Sequence, residues 1–211
     1  MTHPAAHEAD ARGPVPLPPL RVVGDETAID LPGAERAVAD LLRALGRDPG
    51  LEHLRATPRR VAAAFAELLT PTPFAFTMFP NDEGYDELVV ARAIPFSSLC
   101  EHHLLAFSGV AHVGYLPSER IVGLSKLARV VRHFASDLQV QERLTKQVAD
   151  YLHTALQAKG VGVVVDAEHQ CMSIRGVHAP GSRTVTSCLL GRLREDPRSR
   201  QEFLALTVRA P

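Results

Sequence analysis

Two short groups of metal-binding side chains, Cys100-Glu101-His102-His103 and His169-Gln170-Cys171, stand far apart in the chain, and a fold that uses both must bring their segments together. No repeated Cys-x-x-Cys pair accompanies them, whereas closed structural zinc sites usually draw four ligands from compact pairs. Cys100, one histidine of the 102–103 pair and Cys171 make three donors, which leaves a coordination position open for water or a reactant. The pattern therefore points to a catalytic metal rather than a structural one. A lone cysteine is more often a small buried hydrophobe; clustering with histidine changes that reading. Cys188 has no histidine near it in sequence and reads as packing. His112, His133, His153 and His178 read as surface or structural histidines.

Three cysteines, an odd number with two of them beside histidines, fit metal binding in a reducing compartment better than a disulfide framework. The length of 211 residues, with 45% apolar and 22% charged side chains, suits one ordinary soluble domain. Apolar runs such as 161–165 fall far short of the roughly 20 residues that cross a bilayer, and the amino terminus lacks a basic region followed by an apolar core. The expectation is a cytoplasmic protein with no membrane partner. A net charge of −1 speaks against general nucleic-acid binding while leaving room for a local basic pocket.

Prolines 4, 14, 16, 18 and 19 sit among alanines without an apolar period, so residues 1–27 read as a flexible tail and 28–211 as a single domain. In that domain a helical part, 31–70, precedes a sheet and helix core, 86–211. Residues 34–45 form a helix that stops at Gly46, which accepts a left-handed conformation. Thr57 is placed to cap a second helix, with Pro58 at its first position and Val61, Phe65, Leu68 and Leu69 along one face. Residues 70–87 read as loop. The period then shortens to two over 88–94, 106–116, 162–167, 172–177 and 184–190, which predicts strands of a mainly antiparallel sheet. Two helices interrupt them. One is capped by Ser125 and carries Leu127, Val130, Val131 and Phe134; the other carries Leu144, Val148, Tyr151, Leu152 and Leu156 and is closed by Gly160. A last short helix starts at Asp196-Pro197 and buries Phe203 and Leu204. The fold class is α+β, with a helix pair flanking the sheet and two helices before it.

From about residue 57 to 206 the chain resembles the GTP cyclohydrolase I family, through CEHHLLAF at 100–107, GLSKLARVV at 123–131, LQVQERLTKQ at 138–147, HQCMSIRGV at 169–177, TVTS at 184–187 and REDPRSRQEFL at 194–204. The resemblance implies a tunnel-fold (T-fold) protomer, assembled through its sheets into rings and a homodecamer with active sites at subunit boundaries. It implies an enzyme that uses Zn2+ to open the imidazole ring of GTP at C8, releases formate and recloses the product as 7,8-dihydroneopterin triphosphate, a first step toward folates, other pterins or deazapurines. The family's zinc ligands fall on Cys100, His103 and Cys171, leaving His102 free. On extended chain, adjacent side chains point apart and residues two apart share a side. His102 is then expected off the metal and His169 beside Cys171, both as proton-transfer groups suited by imidazole's pKa near 6.5.

The same resemblance places Glu142, with Gln141 beside it, at the guanine. A carboxylate accepts two parallel donors, which guanine presents and adenine does not. Ser125, Lys126, Arg129 and Arg175 are implied for the ribose and triphosphate; Lys126 and Arg129, three apart, share a helix face near its start. Without the resemblance, Lys126 and Arg129 read as a solvated helix face and Glu142 as an exposed acid. The chain departs from the family pattern at Ala106, Val110 and Asp137. The first two should alter only loop stiffness or surface charge. Asp137 stands where members often carry a basic residue, so retained activity with altered affinity is expected. Two competing readings remain. A nicotinamide-dependent nitrile reductase of the same fold would need a reactive cysteine, yet both thiols are placed as ligands. A non-catalytic nucleotide-binding regulator would be free to lose His102, His169 and Glu142, yet all three are present.

Overall fold

The computed structural model describes residues 28–208, so the tail expected over 1–27 lies outside the described residues. In chain order the elements are α1 (Leu31–Ala44), α2 (Thr57–Leu68), β1 (Met78–Pro80), β2 (Val89–Cys100), β3 (Ala106–Leu116), β4 (Arg120–Val122), α3 (Leu124–Ala135), β5 (Leu138–Gln139), α4 (Gln141–Leu156), β6 (Gly160–His169), α5 (Gln170–Ser173), β7 (Thr184–Gly191), α6 (Arg192–Glu195) and α7 (Pro197–Val208). The main sheet has the order β5-β2-β3-β6-β7, and β1 pairs with β4 in a small second sheet. All neighbours are antiparallel except β2 and β5. The architecture is α+β.

Strand alternation builds the core. Phe107, Ala111, Val113 and Tyr115 of β3 and Val161, Val163, Val165 and Ala167 of β6 share one sheet face and are at most 1% exposed. There α3 and α4 lay down Leu127, Val130, Leu144, Val148 and Leu152 from their apolar stripes. β2 joins the same face only through a bulge. Ala91 pairs with Val113 and Ile94 with Ala111, so β2 takes three steps where β3 takes two, and Ala93 adopts φ 53°. Before the bulge Val89 and Ala91 face the core; after it Ile94, Phe96 and Cys100 do. One extra residue switches the parity, and Cys100 ends the strand on the α3/α4 side.

The opposite face carries a second, smaller cluster. Gly114 and Gly162 are cross-strand partners, and a Cβ on them would come within 2.9 Å and 2.7 Å of the Phe203 ring. The two glycines thus open a slot that α7 fills with fully buried Phe203, ringed by Leu116, Val164, Leu189 and Leu193. Asp196 starts α7 by accepting from the backbone N–H groups of Arg198 and Ser199, each at 3.2 Å, and from the Ser199 hydroxyl at 2.6 Å. These donors hold its carboxyl below the usual range.

Several local expectations need correction. Residues 172–177 are not a strand. Chain reversal begins at α5, Gly176 and His178 have positive φ, and Ala179 N–H returns to Met172 O at 2.9 Å. Thr57 and Ser125 lie inside their helices, whose N-caps are Ala56 and Gly123, neither with a side-chain cap bond. Gly160 does not close α4; Gln157 does, in the left-handed region, while Gly160 opens β6. That glycine serves close approach, because a Cβ there would meet Leu193 N at 2.8 Å. Gly46 does end α1, at φ 72°, with Gly46 N–H on Arg43 O and Arg47 N–H on Leu42 O. β1 lies in the stretch expected to be loop, and β2 continues past residue 94 to Cys100.

Candidate active site

Three segments converge where β2 ends. β5 runs parallel to it, with Gln139 opposite Cys100, so α4 starts beside that cysteine. After Cys100 the chain turns instead of extending. Cys100 O accepts from His103 N–H at 3.3 Å and Leu104 N–H at 2.9 Å, and Leu104 takes φ 56°. Cys100 Sγ lies 3.9 Å from His103 Nδ1 and 4.0 Å from His102 Nδ1, so it is nearness to Cys171 as well that singles out His103. Cys171 enters from α5, and the donor atoms of Cys100, His103 and Cys171 all lie within 4.8 Å of one another. Zn–S near 2.3 Å and Zn–N near 2.0 Å would separate tetrahedral donors by roughly 3.5–4 Å, so the trio fits one ion of the kind that favours thiolate and imidazole. Burial and the neighbouring Cys100 push the Cys171 thiol up, against the pull of Arg175. His102 is outside the trio. Its side chain is 64% exposed and its Nε2 lies 3.7 Å from Glu101 Oε1. The extended geometry expected of both motifs is absent: 101–104 is a turn, and Cys171 belongs to α5 while His169 ends β6.

His169 is held from two sides. It is the register partner of Phe107, and their rings stack at 4.5 Å with 2° between planes. Its Nε2 meets Gln141 Oε1 at 2.8 Å. Gln141 was expected beside the base, but its side chain is enclosed at 1% exposure. Its Nε2 contacts Thr184 O at 2.8 Å, Val165 O at 3.1 Å and Thr186 Oγ1 at 3.1 Å. Glu142 follows, exposed, on the first turn of α4. Burial lowers the His169 pKa from the usual histidine value, and the Glu142 charge acts the other way.

The model of the family described as GTP cyclohydrolase I matches residues 34–208. The chain belongs to the GTP cyclohydrolase I family. A "GTP cyclohydrolase 1" from Synechococcus sp. (strain JA-3-3Ab) is 51% identical over 184 residues, covering 85% of this chain and 80% of that protein. Another from Aquifex aeolicus (strain VF5) is 50% identical over 179 residues, covering 85% and 97%. A third, from Mycobacterium ulcerans (strain Agy99), is 51% identical over 189 residues, covering 86% and 93%. The tunnel fold of the GTP cyclohydrolase I family is the architecture seen here, an antiparallel-rich sheet with flanking helices.

Two supports of this GTP cyclohydrolase I site were not legible from motif spacing. Arg143 reaches back 42 residues to Glu101 Oε2 at 2.5 Å while also donating to Leu138 O at 2.6 Å and Gln139 Oε1 at 3.0 Å. It fastens the 101–104 turn to β5 and α4. Glu168 Oε1 accepts from the Ser173 hydroxyl at 2.6 Å and Gly181 N–H at 3.2 Å, and so ties down the loop that carries Cys171 and Arg175. Both partnerships join charged residues to distant or backbone groups that no local pattern marks. Arg175 is exposed on that loop. Ser125, Lys126 and Arg129 lie on the first turns of α3, and among the described residues no hydrogen bond or ion pair ties them to the cluster. No helix among the described residues is long and apolar enough to cross a membrane.

Proposed function

We propose that this chain opens the imidazole ring of GTP at C8 by hydrolysis, releases C8 as formate and lets the product recyclise to 7,8-dihydroneopterin triphosphate. The observation that carries the reading is the approach of two thiols and one imidazole, Cys100, Cys171 and His103, in a member of this family. The three ligands would hold Zn2+, which when bound supplies a Lewis acid for the hydrolytic steps at C8.

The chain's own groups account for the rest. The Glu142 carboxylate accepts from guanine N1–H and the exocyclic amine, and so orients the purine. His169, whose ring burial keeps neutral further into acid than is usual, takes or returns a proton at the purine nitrogen released when the C8 bond breaks. His102, on its exposed turn beside Glu101, serves as a second proton carrier for ring opening and the sugar rearrangement. Arg175, Lys126 and Arg129 bind the triphosphate and Ser125 the ribose or first phosphate, by charge and hydrogen bonding. The distance of α3 from hydrogen-bonded contact with the trio is accounted for if the phosphate end lies at a subunit boundary of a homodecamer. Exposed Leu124 and Val185, at 65% and 60%, and Ile174 and Val177, at 61% and 71%, are apolar surfaces suited to such a boundary. Free cysteines at all three positions fit a cytoplasmic setting.

The test is purified, zinc-replete protein incubated with GTP, with formate and pterin absorbance followed together. Equal release of both products, abolished by a chelator and restored by Zn2+, is expected. Bound GTP with no formate would instead favour the non-catalytic regulator.

A further inference from the structure

The amide of Gln141 can sit in only one orientation. The carbonyl oxygens of Val165 and Thr184 accept hydrogen bonds and cannot donate, so the end of the amide that faces them is the nitrogen. The hydroxyls around it agree. Thr145 spends its one hydrogen on Gln141 O at 2.7 Å, so Thr186, 2.6 Å away, donates to Thr145 and keeps its oxygen free to accept from Gln141 Nε2. Gln141 Oε1 is therefore turned toward His169, and an amide oxygen can only accept. The hydrogen in that 2.8 Å contact belongs to His169 Nε2.

We infer that Gln141 is a positioning residue for His169: it holds the ring hydrogen on Nε2 and leaves Nδ1 as the nitrogen that meets the substrate. The inference rests on the proposed proton-carrying role of His169. Phe107, fully buried, fixes the plane of the imidazole by stacking, and Gln141 fixes its rotation within that plane. The lock works in both protonation states, because Nε2 donates to the same oxygen whether or not Nδ1 carries a proton. A neutral amide suits a group that must give its proton back. A carboxylate in its place would stabilise the imidazolium and would set oxygen against the oxygens of Val165 and Thr184.

The experiment has a spectroscopic arm and a kinetic arm, both on zinc-loaded enzyme. Solid-state nitrogen spectra of histidine-labelled protein, with the His169 signals assigned by their loss in His169→Asn, are expected to show a protonated Nε2 and a bare Nδ1. A protonated Nδ1 beside a bare Nε2 in the wild type overturns the inference, whether or not any variant folds. In the kinetic arm, Gln141→Met is expected to keep its zinc and its KM for GTP within about twofold while kcat falls roughly 100-fold, the scale of a lost or misdirected acid–base group. A raised KM with unchanged kcat would mean that Gln141 contacts the base, and would overturn the inference while leaving the enzymatic reading intact. No GTP turnover by the wild type would overturn the function underneath, with the tautomer still readable in the spectrum.

Discussion

Cys171 and His169 sit two residues apart yet are expected to fail in different ways. Cys171→Ala removes one of three ligands, so zinc content and turnover should fall together; full zinc stoichiometry by elemental analysis would remove Cys171 from the ligand set. His169→Ala and His102→Ala leave the trio intact and should keep zinc while kcat drops by about 10²–10⁴-fold. Glu142→Gln replaces a double acceptor by one acceptor and one donor. It should cost about 10- to 100-fold in kcat/KM for GTP, matching the roughly 1.5–3 kcal/mol carried by a hydrogen bond to a charged group. Unchanged kinetics would take Glu142 out of the site. That Cys100, His103 and Cys171 would come together was legible in the sequence because each of these two cysteines stands beside histidines, a clustering that a merely packed thiol does not need. Gln141 was named there only as a neighbour of the guanine; its contact with His169 was not legible, since an amide shows its partner only after β6, β7 and α4 have come together. Asp137, the least comfortable departure from the family pattern, accepts from Leu138 N–H at 2.7 Å.

Among the elements, α7 depends on the slot beneath it. Phe203→Ala should destabilise by about 3–5 kcal/mol, as large-to-small changes at a fully buried aromatic do, and Gly162→Ala by about 1–3 kcal/mol through overpacking. Urea unfolding followed by circular dichroism reads both, and a loss under about 0.5 kcal/mol, the range of ordinary surface changes, would contradict the packing. The bulge in β2 has its own support, Ala93 N–H donating to His112 Nδ1 at 3.4 Å. Burial and then Arg92 lower the His112 pKa, with Asp166 opposing. As the pH falls below about 6.5, the unfolded chain therefore takes up a proton that the folded ring resists. The stability is fully present above that value and is lost toward the lower folded pKa. His112→Gln should flatten this acid-side slope in denaturation curves taken between pH 7.5 and 5; parallel slopes would count against it. Long elements were readable from their periods. β1, β4 and β5, of three, three and two residues, are too short to show one, and the bulge breaks the alternation of β2 so that only its first half reads as strand. Over 172–177, spaced apolar residues imitated a strand where Glu168 gathers a loop.

At the scale of the whole molecule, the sheet stops at β7 with one side unpaired within the protomer, and α1 leaves Leu31, Leu41 and Leu45 uncovered at 46%, 57% and 66%. An open edge with exposed apolar side chains is a place for another chain to join. Val185→Lys on that edge should therefore lower the assembly mass measured by light scattering and reduce GTP turnover with it, if the sites need a boundary. An unchanged mass with unchanged turnover would place the boundary elsewhere. The layout of the sheet could be foreseen from alternation, and the meeting of 100–103 with 169–171 from their metal-binding side chains, but the start of α4 beside them could not, because it follows from the pairing of β5 with β2. The extra residue at 92–93 has a further consequence. Without it, every side chain downstream in β2 would be turned over, and the sulfur that ends the strand would point to the opposite face of the sheet, away from the side where His103 and Cys171 gather. The meeting of the three donors is thus set partly by arithmetic: a one-residue deletion several positions before Cys100 would point its thiol away from the other two.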